Sequence, residues 1–152
     1  MPRLTADAAM ALVHAAVREV QTQGHPAAIA VVSDTGQEIL TYCMDGAAPQ
    51  APQVARNKAF TAATYGMPSD EFLEHTRTFG PDGAAMLTAA VDHIMLLGGG
   101  VPVTVDEVAV GAVGISGGSG AEDHAAATAA IATVLQRTGP SQNTGPSPGT
   151  AP

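Results

Sequence analysis

The sequence has no tryptophan, one cysteine, three phenylalanines and two tyrosines in 152 residues. With Cys43 alone, no internal disulfide can brace the fold. With so few rings, the interior must be filled by close approach of backbone rather than by bulky side chains. Positive charge is scarce too. Six Lys and Arg stand against 14 Asp and Glu, a net charge of −8, and Lys58 is the one lysine. That sign repels phosphate backbones and acidic lipid, so neither nucleic acid nor a membrane surface is an expected partner. No apolar run approaches the roughly 18 residues of a membrane-crossing helix. The first seven residues also lack the basic start and apolar stretch of a secretory signal, and a soluble cytoplasmic protein is the expectation.

What is present is small: 17 glycines, 11 prolines and a large share of alanine. A chain of this length can bury about 70% of the surface it exposes when unfolded, enough for one core without metal or disulfide. Thr5 reads as the cap of a helix bearing Ala9, Leu12, Val13, Ala16 and Val20 at helical spacing, stopped by Gly24-His25-Pro26. Residues 28–32 and 38–44 flank Ser33-Asp34-Thr35-Gly36 and read as a hairpin. A second helix over 54–65 carries a stripe of Ala55, Ala59, Ala62 and Gly66 that suits it to lie on a sheet. Ser69 is placed to cap a short acidic helix reaching Arg77. A helix over 84–90 and a strand over 92–97 follow. Residues 101–105 and 107–115 form a second hairpin about Asp106, where Gly111 and Gly114 mark close approach by another backbone or a ligand. A last helix covers 121–137. The expected fold is α+β: a single-domain sandwich over residues 1–137 with a central antiparallel sheet flanked by helices. A flexible Pro/Gly/Ser-rich tail follows at 138–152.

Four segments, taken in order, resemble the GlcG/HbpS-like family. They are Ala30-Val31-Val32-Ser33-Asp34-Thr35-Gly36, Met44-Asp45-Gly46-Ala47, Lys58-Ala59-Phe60-Thr61-Ala62, and Gly99-Gly100-Val101-Pro102 running on through residues 110–117. The family includes haem-binding proteins and the C-terminal domain of some corrinoid adenosyltransferases, and the likeness spans about residues 4–136. The resemblance implies the same sheet-and-helix sandwich, assembly into tetramers or octamers, and a ligand pocket that several members use for haem.

Two functions follow as expectations. The first is a small-molecule pocket for a planar anionic ligand such as haem. Any of His14, His25, His75, His93 and His124 offers an axial imidazole, while their spacing builds no zinc motif. The scarcity of aromatic and basic residues counts against haem, because propionates seek Arg or Lys. The alternative is a cofactor-independent acid–base enzyme, an isomerase or lyase, acting on an unsaturated organic acid. Lys58, on a helix face between Ala55 and Ala62, is its base or carboxylate anchor, and Asp45 its orienter. The plainer readings are a solvated lysine covering alanines and a turn-capping Asp before Gly46. Further ligand contacts are expected from Met44, from His75 and Arg77 beside the Phe79-Gly80-Pro81 loop, and from Gly99, Gly100 and Val101, whose loop can present N–H groups to an anion. Cys43 reads as a small buried hydrophobe, and Glu122 and Asp123 as caps of the last helix.

Overall fold

The computed structural model describes residues 3–138. Helix α1 (Ala6–Gln23) starts where the Thr5 hydroxyl accepts the Ala8 N–H at 3.1 Å, and ends at Gly24, whose φ of 83° suits glycine alone. Strands β1 (Ala28–Ser33) and β2 (Glu38–Cys43) form the first hairpin. Helices α2 (Ala51–Tyr65) and α3 (Ser69–Thr76), a 3-10 turn (Arg77–Phe79) and α4 (Gly83–Ala90) lead to the second hairpin, β3 (Gly100–Val105) and β4 (Val108–Ser116). Helix α5 (Gly120–Thr138) closes the chain. The sheet is antiparallel throughout, in the order β2-β1-β4-β3.

The two faces of the sheet differ in side-chain size. Ile29, Val31, Val103, Val113 and Ile115 point to α1 and α5, while Ala28, Ala30, Val32 and Ala112 face α2. The small face lets α2 settle on backbone. A Cβ on Gly114 would overlap the Ala55 carbonyl and stand 2.7 Å from the Ala59 nitrogen, so Ala55 and Ala59 of the predicted stripe touch β4 directly. Gly114→Ala is therefore expected to cost about 3 kcal/mol, since neither backbone can yield. Thermal unfolding should show it as a fall of about 6–12 °C. Gly66→Ala, with open space around it, should cost only the left-handed strain of about 1–2 kcal/mol.

Several boundaries depart from expectation. Helix α2 begins at Ala51, because Pro52 fits a first turn that needs no N–H from it. Gly66 is the exposed cap of α2 at φ 66° rather than part of the buried stripe. Ser69 does not cap α3. Its hydroxyl donates to the Leu97 carbonyl at 2.6 Å and accepts the Gly100 N–H at 3.0 Å. Residues 92–97 are an irregular loop rather than a strand. The Met95 N–H goes to the Thr61 hydroxyl at 2.9 Å and the Leu97 carbonyl to Ser69, so side chains take the place of a strand neighbour. Glu107 belongs with Asp106 to the tight turn of the second hairpin, both at positive φ. Cys43 is exposed in the chain, not buried. Thr138 ends α5, and the rest of the expected tail lies outside the described residues. Among those residues, no helix is long and apolar enough to cross a membrane.

Candidate functional site

Lys58 lies at the contact of α2, β4 and α5. It is 2% exposed, and its ammonium donates to the Ile115 carbonyl at 2.9 Å and to Asp123 Oδ2 at 2.9 Å. Asp123 is 1% exposed and takes the Gly118 N–H on its other oxygen at 2.9 Å. Gly99 lies over this pair. A Cβ there would stand 3.0 Å from Lys58 Nζ and 2.8 Å from the Asp123 Cβ, and its φ of 126° requires glycine. Gly100 packs so closely on the Lys58 carbonyl that no side chain fits. The helix below is closed by a capping box: Ser119 N–H donates to Glu122, Glu122 N–H to Ser119 Oγ, both at 3.1 Å. Hydrogen bonds from the Ser119 backbone and then its side chain lower the pKa of the Glu122 carboxyl from its ordinary value. The capping role expected of Glu122 is thus what the structure shows, whereas Asp123, one residue on, also faces inward to Lys58.

The fold brings together Lys58, Gly99 and Gly100 and adds Asp123 and Ser69. A lone lysine on an alanine stripe needs a partner, and an Asp superfluous to a complete capping box was the available signal. Asp45 takes no part in the hydrogen bonds of Lys58; it is exposed in the turn after β2, beside Gly46 at φ 85°. Met44 is half-buried against the α1/α5 core, and Val101 is buried in that same core. His75 is flanked by Phe72 and Phe79, with ring centroids 6.0 and 5.6 Å away, and Arg77 pairs with Glu74 at 3.0 Å. Among the described residues, neither Lys58 nor Asp123 lines the main surface cavities.

One of these cavities, about 280 Å³, runs between α1 and α5. Its floor is the buried Ala15 and Val134, and its exposed rim holds Ala11, His14, Arg18 and Arg137. His14 and Arg18, four residues apart, share one face of α1. Arg137 comes from the last turn of α5, where a cation suits the helix dipole. The other four histidines are engaged: His25 with Gln23 and Glu122, His75 with two phenylalanines, His93 edge-on to Phe60, His124 with Asp70. Among the described residues the His14 ring has no such neighbour. Among the described residues, two of the chain's five arginines thus line the same cavity as the one imidazole without such a partner. The two helices meet across 119 residues of sequence, which hides the pairing of Arg18 with Arg137 from any local pattern.

The family profile described as "Haem degrading protein HbpS-like" matches residues 4–132. The chain belongs to the HbpS-like family. Protein GlcG of Escherichia coli is 37% identical over 118 residues, a stretch covering 74% of this chain and 81% of GlcG. HbpS of Streptomyces reticuli, solved as a double mutant, superposes with a TM-score of 0.77 at 32% identity over 88% of each chain. A PduOC:haem complex gives a TM-score of 0.77 at 28% identity, covering 86% of this chain and 94% of that one. The HbpS-like sandwich and the α+β class expected from the sequence are both present in the structure.

Proposed function

We propose that this HbpS-like protein binds haem in the groove between α1 and α5, where the His14 imidazole would hold the iron and Arg18 and Arg137 the propionates. The observation that carries this reading is a histidine without a side-chain partner among the described residues, lining one groove with two guanidiniums in a chain otherwise poor in cations. The donor set suits the ligand. Haem iron takes an imidazole, and guanidiniums meet carboxylates in a two-pronged geometry. The apolar floor suits the macrocycle. Bound haem would supply a redox-active iron; the chain's part is to hold it, fix its orientation and neutralise its two acids. At about 280 Å³ the groove falls just below the usual range of roughly 300–1,000 Å³ for ligand pockets, so a haem held there would be only partly enclosed by the protomer. A homo-oligomer would cover the rest.

The acid–base alternative draws less support. Lys58 directs its ammonium to two protein oxygens, and we assign it with Asp123 to positioning: the pair ties the end of β4 to the start of α5. His75 and Arg77 are a weaker haem locus, because Glu74 already pairs with the arginine.

Haemin titration tests the proposal. The protein should give a saturable shift of the haem absorption band. Arg18→Gln and Arg137→Gln should each weaken binding about tenfold, the value of one charge-assisted hydrogen bond of about 1.4 kcal/mol. Arg77→Gln should leave it unchanged. A titration without saturation, or one weakened only by Arg77→Gln, overturns the assignment.

A further inference from the structure

The alanine-lined side of the sheet carries a second cavity, of about 290 Å³, far in sequence from the residues of the α1/α5 groove and on the opposite face of the sheet. Its wall is built from α2, the first hairpin, which includes Val32 of β1, and the loop before β3. Helix α2 contributes Gln53, Arg56, Asn57 and Phe60, the face turned away from the alanine stripe. The β1–β2 turn and β2 contribute Gly36 and Glu38, and the loop before β3 contributes His93. We propose that this cavity binds a small aromatic carboxylate, with Arg56 holding the carboxylate, Phe60 forming the apolar wall and His93 closing the site as a donor.

The guanidinium is aimed before any ligand arrives. Asn57 Oδ1 accepts from Gln53 Nε2 at 2.8 Å, which turns Gln53 Oε1 to accept from Arg56 Nη2 at 3.0 Å. The carboxylate facing Arg56 is Glu38, at 3.7 Å from Nε, with side chains 33% and 48% exposed. An exposed pair of this length is a weak competitor, so a ligand carboxylate can take its place at small cost. Glu38 itself stays satisfied through the Thr41 hydroxyl at 2.7 Å.

The ring of Phe60 is held from behind. A Cβ on Gly36 would stand 2.6 Å from it, so the turn and the ring are fitted to each other, and Gly36 at φ 79° keeps that fit. His93 meets Phe60 edge-on, with centroids 5.8 Å apart and planes at 74°. His93 also has a positive φ of 71°, rare for a residue with a side chain. The strained backbone carries the imidazole to the rim of the cavity, and such strain gathers at ligand sites. Glu38, Arg56 and His93 are the titratable groups of the wall. One cation, one flat apolar surface and one imidazole donor match a ring bearing a single carboxylate.

Benzoate is the probe, titrated into the full chain while the His93 imidazole resonances are followed by NMR, with benzamide as the uncharged counterpart. The expected result is a saturable shift at His93 with a millimolar dissociation constant, at least tenfold weaker with benzamide and with Arg56→Gln, and unchanged in Arg18→Gln. Unaltered thermal unfolding of Arg56→Gln shows that the loss is not one of folding. No saturable shift at His93 overturns the proposal. So does binding that Arg18→Gln abolishes and Arg56→Gln spares, which would place benzoate in the α1/α5 groove.

Discussion

Replacing Asp123 by Ala is expected to destabilise the protein by about 3–5 kcal/mol and to lower its melting temperature by about 6–20 °C. The substitution leaves the Lys58 ammonium, 2% exposed, with the Ile115 carbonyl as its sole remaining partner, and it strips the acceptor from the Gly118 N–H. An uncompensated buried charge is among the most costly defects a core can hold. Lys58→Met should cost a similar amount for the converse reason, since Asp123 would keep only the Gly118 N–H. The double variant Lys58→Met/Asp123→Leu should recover most of the loss, because a buried ion pair replaced by apolar groups of similar volume is often neutral. Thermal or urea unfolding of the three variants measures this. If Asp123→Ala melts within about 2 °C of the parent, the pair does not hold β4 to α5 and its assignment to positioning fails.

The second large effect is on haem. His14→Ala removes the proposed axial imidazole while leaving both guanidiniums in place. Haem affinity should fall by at least about 100-fold, equivalent to about 2.7 kcal/mol, and the absorption band should move toward that of free haemin. The fold should be spared. His14 is exposed, and surface replacements of this kind change stability by no more than about 0.5 kcal/mol. Retained folding with lost coordination separates a ligand role from a structural one.

Much of the fold is legible in the sequence because its signals are local. Thr5 and Gly24 bound α1, the Asp106 turn joins β3 to β4, and Ser119 with Glu122 opens α5. The stripe of Ala55, Ala59 and Ala62 foretells a helix resting on backbone, and Gly114 supplies the matching gap. The loop over 92–97 misleads because Ile94, Met95, Leu96 and Leu97 are as apolar as a strand, while what fixes their backbone is Thr61 and Ser69, more than 25 residues earlier. The site is less legible for the same reason. Lys58 stands out as the lone lysine, but the nearest acid in a plausible turn is Asp45, and its true partner lies 65 residues away in a helix that already has a cap. His14 is visible as one histidine of five; only the packing of α1 against α5 places it between Arg18 and Arg137.

His14 is the residue through which, we propose, this protein holds haem. Haemin titration of the parent and of His14→Ala, read by the position of the haem absorption band at saturation, tests it most directly. The parent should bind saturably with a shifted band, and His14→Ala should bind at least about 100-fold more weakly, with its band near that of free haemin. Identical bands and affinities in the two proteins would contradict it.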